Sequence, residues 1–388
     1  MKILMVTKFL PLPANSGGKQ RSSAVLRGLA QQGEVTICAF DDGSADRSAF
    51  DDLGVRVHGV PRPGPIDVLI GLARTRSISA GRFWSRALAR ELQAIITEDE
   101  PDCLVVSYGQ LAPHGSVLSA DHRILDLHNV ESALFESYAA GATGLRSLTS
   151  RLEARAMRRI EMRALAAFDT VAVVSDQDER RLPSRRPDRP HPEVIVCPNG
   201  WEPSPPMPMG DEPVVAFVGL MGWAPNADAA AWLVEEVWPH VRAAAPGAQL
   251  LLVGRDPTAA VRGLANDDVT VTGTVPEIEP YLARARVAVA PLRAGGGSRL
   301  KILEALNAGR PVVATTVGAE GLEQFNGHGL LIADDPETYA GILVELLGDR
   351  EGAEALGQRG NAAVEASFSW DATLAPLMRA VRRGRPTP

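Results

Sequence analysis

Residues 290–322, APLRAGGGSRLKILEALNAGRPVVATTVGAEGL, concentrate the side chains of this chain that could do chemistry. An apolar run ends, three consecutive glycines follow (Gly295, Gly296 and Gly297), and a helical pattern begins near Arg299. Glycines let backbone N–H groups come close to an anion, and a helix start adds about half a positive charge. Arg299 and Lys301 place two full cations beside it. A diphosphate suits such a construction, because its charges are paired rather than buried alone. A loop with two solvated cations is the blander reading. Glu304 stands further along the same helix among Ile302, Leu303, Ala305 and Leu306, where a carboxylate can accept both hydroxyls of a ribose diol. An ordinary exposed helix glutamate is its competitor.

Alternating strands and helices must position these groups. Apolar runs at 2–7, 35–40, 55–60, 104–107, 124–127 and 170–175 read as strands, with helical stretches such as 82–97 and 150–167 between them. The first run leads into a Pro/Gly/Asn/Ser loop at 9–18 and then a helix. Strands in this alternation form a mostly parallel sheet covered on both faces. Residues 183–213 carry more prolines than a helix or central strand tolerates and read as a hinge or linker. Beyond it the pattern restarts, with strands at 214–219, 249–254, 269–272, 287–291 and 311–315 and helices at 228–245 and 299–308. The expectation is an α/β chain of two Rossmann-like, doubly wound parallel-sheet domains, 1–200 and 213–368, facing across a cleft. The last helix, 370–388, is expected to pack back on the first domain. Such sheets bind ligands beyond the carboxyl ends of their strands, so two of them imply a bisubstrate site.

Composition narrows the class. A length of 388 residues supports two or three domains, and 45% apolar with 22% charged residues excludes wholesale disorder. The net charge of -7 argues against a protein that wraps nucleic acid. Cys38, Cys103 and Cys197 are far apart and odd in number, which speaks against a disulfide or metal framework and for a reducing cytoplasm. No apolar run reaches the length of a signal peptide or a membrane span.

The segments Phe217-Val218-Gly219, Leu252-Val253-Gly254, VTGTVPEIEPY at 271–281 and RLKILEALNAGRPVVATTVGAEGL at 299–322 resemble the second half of one family. Gly17-Gly18, Asp126-Leu127-His128-Asn129, Val174-Ser175 and Pro198-Asn199-Gly200 resemble its first half. Over nearly its full length the chain is similar to the retaining glycosyltransferases of GT-B fold, family 4 type (glycosyl transferases group 1). That resemblance implies transfer of a sugar from a nucleotide-diphosphate sugar to a hydroxyl acceptor with retained configuration and no metal or other cofactor. The nucleotide (UDP, GDP, ADP or dTDP) stays open, as does the acceptor, a polysaccharide, lipid-linked or small-molecule glycoside precursor. It further implies that 213–368 bind the donor and 1–200 the acceptor, with 62–86 and 131–151 as acceptor loops.

By position, Gly17, Gly18, Gly296, Gly297, Ser298, Arg299 and Lys301 would meet the donor diphosphate and Glu304 its ribose. His128 would stand at the reacting centre, where a ring or carbonyl can stabilise oxocarbenium-like charge. Gly219, Trp223, Asn226, Arg255, Val275 and Leu300 would shape the donor pocket, with Lys19 and Arg21 as secondary candidates; Lys19, Arg21 and Arg255 each read more readily as solvated surface cations. The chain also departs from the pattern. The family's first glutamate, which reads the donor sugar, falls at Gly296, and its Arg and Lys after the first strand of the second domain fall near Leu220 and Pro225. A catalytically inactive nucleotide-sugar-binding partner and a nucleotide-sugar epimerase on the same fold are the alternatives.

Two lures remain. Asp176-Gln177-Asp178 spells a metal-binding D-x-D, but it follows a strand and opens a helix, where a capping carboxylate is the ordinary meaning. The stretch 146–163 interleaves Arg151, Arg155, Arg158, Arg159 and Arg163 with apolar residues. It reads either as a solvated face packed on the sheet or as a weak peripheral contact with the inner face of an anionic membrane.

Overall fold

The computed structural model describes residues 1–14, 16–141, 143–183, 191–294 and 300–383. Strands apolar on both faces form the centre of each sheet. Lys2–Thr7 (β1) is buried from Ile3 onward, and Cys103–Ser107 (β4) along its whole length. Such strands need cover on both sides, which the crossover helices of a parallel sheet supply. Among the described residues, β1 and β4 pair in parallel with Glu34–Phe40 (β2), Arg56–Val60 (β3), His122–Asp126 (β5), Thr170–Val173 (β6) and Glu193–Val196 (β7) in the order β3-β2-β1-β4-β5-β6-β7. A second parallel sheet joins Val214–Val218 (β8), Gln249–Val253 (β9), Val269–Gly273 (β10), Val287–Ala290 (β11), Val312–Ala314 (β12) and Leu330–Ile332 (β13) in the order β10-β9-β8-β11-β12-β13. The strand order reverses between β1 and β4 and again between β8 and β11. Crossovers diverge there and leave a crevice beyond the strand ends.

The chain divides into two compact units, one of residues 1–199 together with the chain from Thr373 on, the other lying between. Both are α/β with parallel sheets, as the alternation of runs predicts. The helix Trp370–Arg383 belongs to the first unit from Thr373, with Met378 against Gly28 and Arg382 donating to Gln32 at 3.2 Å. All three cysteines are free and buried.

Several local expectations need correction. The proline-rich stretch 183–213 contains β7, because EVIV is an apolar run on a sheet edge, where flanking prolines are tolerated. The helix expected at 228–245 is interrupted: Ala224–Trp232 gives way to a π turn, Leu233–Val237, before Trp238–Ala244. Pro239 lacks the N–H that a regular turn uses. The supposed acceptor loops hold helices, Pro65–Thr75 and Ile78–Gly81 in the first, Glu131–Ala140 and the start of Gly144–Ala164 in the second.

Candidate active site

In the first unit, register brings the carboxyl ends of β1, β4 and β5 together: Val6 lies opposite Val106, and Ser107 opposite Asp126. The helix Gly17–Ala30 packs by its apolar stripe, and Arg21 falls on that stripe with Val25 and Leu29. Its guanidinium is therefore fully buried, so it requires a partner. Asp126 supplies one at 2.6 Å, and the Cys197 carbonyl (2.9 Å) and Asn199 Oδ1 (2.7 Å) accept the remaining donors. Burial opposes ionisation of Asp126, but Arg21 and His128 together hold its carboxyl well below the usual range. Arg21 is thus no solvated cation.

His128 follows β5. Its Nε2 is buried and faces Asp126 Oδ2 at 3.3 Å. Its ring packs against that of Tyr108, tilted by 31°, with centroids 3.8 Å apart. Burial lowers the His128 pKa and Arg21 and Lys8 add to that effect, against Asp126, so the ring is neutral at pH 7. Tyr108 itself adopts φ +77°, a conformation rare for a side-chain-bearing residue and found where packing over-determines a site. The Lys8 ammonium lies 4.3 Å from the Tyr108 ring and 4.7 Å from that of Phe83. Burial there pulls its pKa down to about 8, against the pull of Glu131. Gly18 fits this packing by lacking a side chain, since a Cβ would meet the Tyr108 hydroxyl at 2.6 Å. Gly18→Ala should therefore shift Tyr108 and the His128 ring packed against it, lowering turnover more than stability in parallel kinetic and thermal measurements.

In the second unit, Lys301 and Glu304 lie on the helix Leu300–Asn307, one turn apart on the same side. Lys301 Nζ donates to Asn226 Oδ1 at 2.7 Å and lies 4.7 Å from the Phe217 ring. Asn226 is fixed in turn by donating from Nδ2 to the Leu220 carbonyl at 2.9 Å. A Cβ on Gly219 would meet Asn226 Nδ2 at 2.7 Å and Lys301 Nζ at 3.2 Å. The end of β8, the start of the next helix and Lys301 thus form one cationic corner. Burial pushes the Glu304 carboxyl up to about 7, with Glu279 raising it further and Lys301 lowering it.

The structure gathers Gly219, Asn226 and Lys301, with Glu304 on the same helix as Lys301. Trp223 is the residue from which the helix Ala224–Trp232 starts, and exposed Arg255 follows β9. Val275 and Leu300 are half-buried against the core below. In the first unit Gly17 begins its helix, with Gly18 and His128 placed as above. Gly296, Gly297, Ser298 and Arg299 lie outside the described residues. Of the D-x-D, Asp178 is used internally while Asp176 is exposed: the cap is the Ser175 hydroxyl, one residue before the expected carboxylate, and it receives the Asp178 N–H and donates to Asp178 Oδ2, both at 3.0 Å. Among the described residues no group of three or more His, Cys, Asp or Glu is disposed to hold a metal ion. Sequence reasoning gave no role to Asp126, Lys8 or Tyr108. Only Arg21 carried a usable signal, a cation in line with Val25 and Leu29.

Comparison with known proteins adds to this geometry. Residues 212–349 match the family described as glycosyl transferases group 1, and residues 16–200 match the glycosyl transferase 4-like domain. Over 155 residues the chain is 36% identical to a Mycobacterium tuberculosis protein named GDP-mannose-dependent alpha-(1-6)-phosphatidylinositol monomannoside mannosyltransferase. That match covers 36% of this chain and 40% of the relative, so the chain spans less than half the length of the relative it matches. Among solved structures, sucrose-phosphate synthase from Thermosynechococcus elongatus superposes with a TM-score of 0.74 at 20% identity, covering 99% of this chain and 98% of that one. Anabaena HepE in complex with UDP and glucose superposes with a TM-score of 0.68 at 14% identity, covering 98% and 99%. At such identities the likeness speaks for the fold.

Proposed function

Because the chain belongs to the group 1, family 4 glycosyltransferases and has their GT-B fold, we propose that it moves a sugar from a nucleoside diphosphate sugar to a hydroxyl acceptor with retained anomeric configuration. The observation that carries this reading is the corner of Lys301, Asn226 and Gly219 with Glu304 one turn on, a cation and a carboxylate spaced for a phosphate and a ribose diol. The GDP-mannose dependence named for the mycobacterial relative and the UDP held by the Anabaena neighbour support a nucleotide-sugar donor. The relative's phosphatidylinositol-linked acceptor favours a lipid-linked acceptor here.

In this reading the second unit binds the nucleotide. Lys301 pairs with phosphate, supplying charge that would otherwise fall to a metal ion, and transfer proceeds without one. His128 acts on the sugar. Its neutral ring adds no repulsion to an oxocarbenium-like centre, and because Nε2 faces Asp126, contact with the sugar falls to the rest of the ring or to the backbone carbonyl. The bond from the anomeric carbon to the phosphate oxygen breaks on the face where the bond to the acceptor oxygen forms. The acceptor's proton passes to the leaving phosphate, so atoms and charge balance without a side-chain base. The anomeric configuration of the product, read by NMR, tests this directly: retention is expected, and inversion contradicts it.

Glu304 gives a further check. A ribose diol is best received by the ionised carboxylate, so nucleotide-sugar affinity should fall about tenfold per unit as pH drops below about 7, where the free carboxyl protonates. Both phosphates of a nucleotide sugar stay charged across that range. Titration calorimetry between pH 5.5 and 8 should show this slope, and Glu304→Gln should bind weakly with no slope.

A further inference from the structure

Every exposed large apolar side chain among the described residues except Leu220 falls between residues 66 and 162. The helix Pro65–Thr75 is apolar yet buries only Gly71, which presses against Gly81 and Trp84. Ile66 and Leu69 are left 63% and 66% exposed. On the helix Gly144–Ala164 the exposed Leu145, Leu148 and Leu152 recur on successive turns. Exposed Ile78 is tied to the same helix, its N–H donating to Glu153 at 2.9 Å. The outer side of the 144–164 helix also presents Arg146, Arg151, Arg155, Arg159 and Arg163, all exposed. Both carboxylates of that helix are used inward: Glu153 accepts from Ile78 and Ser79, and Glu161 from Ser132. Asp67 on the other helix is taken by Arg86 at 2.7 Å. A chain of net charge -7 thus carries a strongly cationic apolar face.

We propose that this face, formed by the 65–75 and 144–164 helices, docks on an anionic lipid bilayer. Apolar side chains interleaved with arginines match the boundary between acyl chains and charged headgroups, whereas water favours neither such a leucine row nor so large an apolar patch. Between the ends of the two helices a cavity of about 210 Å³ is lined by Arg74, Thr75, Trp84, Ser116 and Arg163. The Arg74 guanidinium lies over the Trp84 ring at 4.8 Å, and neither Arg74 nor Arg163 has a carboxylate partner among the described residues. The cavity seats the phosphate of one lipid. The test of this surface does not depend on transferase activity.

The full chain should co-sediment with vesicles of phosphatidylcholine mixed equally with phosphatidylglycerol and not with phosphatidylcholine alone. Leu69→Glu with Leu148→Glu should lower the partition coefficient about tenfold or more, since the altered side chains are exposed and the fold is kept. Arg155→Gln with Arg159→Gln should lower it and flatten its salt dependence, and Arg74→Ala with Arg163→Ala should also weaken binding. Thermal melts check that each variant folds. Failure to bind the anionic vesicles, or unchanged binding by the leucine variant, overturns the proposal. So do displacement by millimolar inorganic phosphate and a native dimer that the leucine substitutions dissociate, which would make a second copy the occupant.

Discussion

His128→Ala should lower kcat by about 10²- to 10³-fold while leaving nucleotide affinity within about twofold, because the ring serves the sugar and not the nucleotide. The size follows from where the ring is held. Asp126 at 3.3 Å and the Tyr108 ring at 3.8 Å fix it in one orientation, and burial with the nearby cations keeps it neutral. A preorganised neutral group loses little in reorganisation as charge develops on the sugar, so its removal is felt in turnover. Asp126 keeps Arg21 in the variant, which should therefore fold. Steady-state kinetics paired with titration calorimetry separate the two effects, and equal loss of turnover and nucleotide affinity would contradict the role given to His128.

Arg21→Ala should have the largest effect on stability, about 3–5 kcal/mol, because it leaves Asp126 buried without its cation. For a unit of this size that is a fall in Tm of about 10 °C. The sign of the pH dependence follows from the depressed Asp126 pKa. In the native chain the pair's contribution is present above the usual carboxylate value, near 4, and is lost as pH falls toward the lower folded value. In the variant the unpaired carboxyl is destabilising while ionised and is relieved as it protonates, so the gap between the two melts should narrow on acidification. Arg21→Met with Asp126→Leu should recover much of the loss, since apolar residues of similar volume often replace a buried pair at little cost. A gap of the same size at pH 3 and pH 7 would sink the buried-pair interpretation.

The contrast between Arg21 and Lys301 indicates what could be read from the sequence. Period and run length sufficed for the parallel sheets, since β1 and β4 are apolar on both faces and little else could hold them. Lys301 and Glu304 were legible as a cation and a carboxylate on a helix of known phase. Arg21 was legible only in its phase with Val25 and Leu29, and its partner Asp126 lies 105 residues away, a pairing that strand order alone creates. Tyr108 was illegible, because φ +77° is imposed by its neighbours and not by its own preference. The strand β7 was hidden by its prolines, whose exclusion from sheets weakens at an edge. The cationic apolar face was obscured by Glu153 and Glu161, which dilute the arginines in sequence yet turn inward in the fold.

The central claim is that the corner of Lys301, Asn226 and Glu304 holds a nucleotide-sugar donor. Its most direct test is thermal stabilisation by a panel of nucleoside diphosphates and their sugar conjugates, with chelator present, on the native chain and on Glu304→Ala. A ligand at about one hundred times its Kd should add about 2.7 kcal/mol, a shift of several degrees. A shift selective for one nucleotide that survives the chelator and is lost in Glu304→Ala is the expected result. No shift with any nucleotide, or a shift unchanged by Glu304→Ala, would contradict the claim.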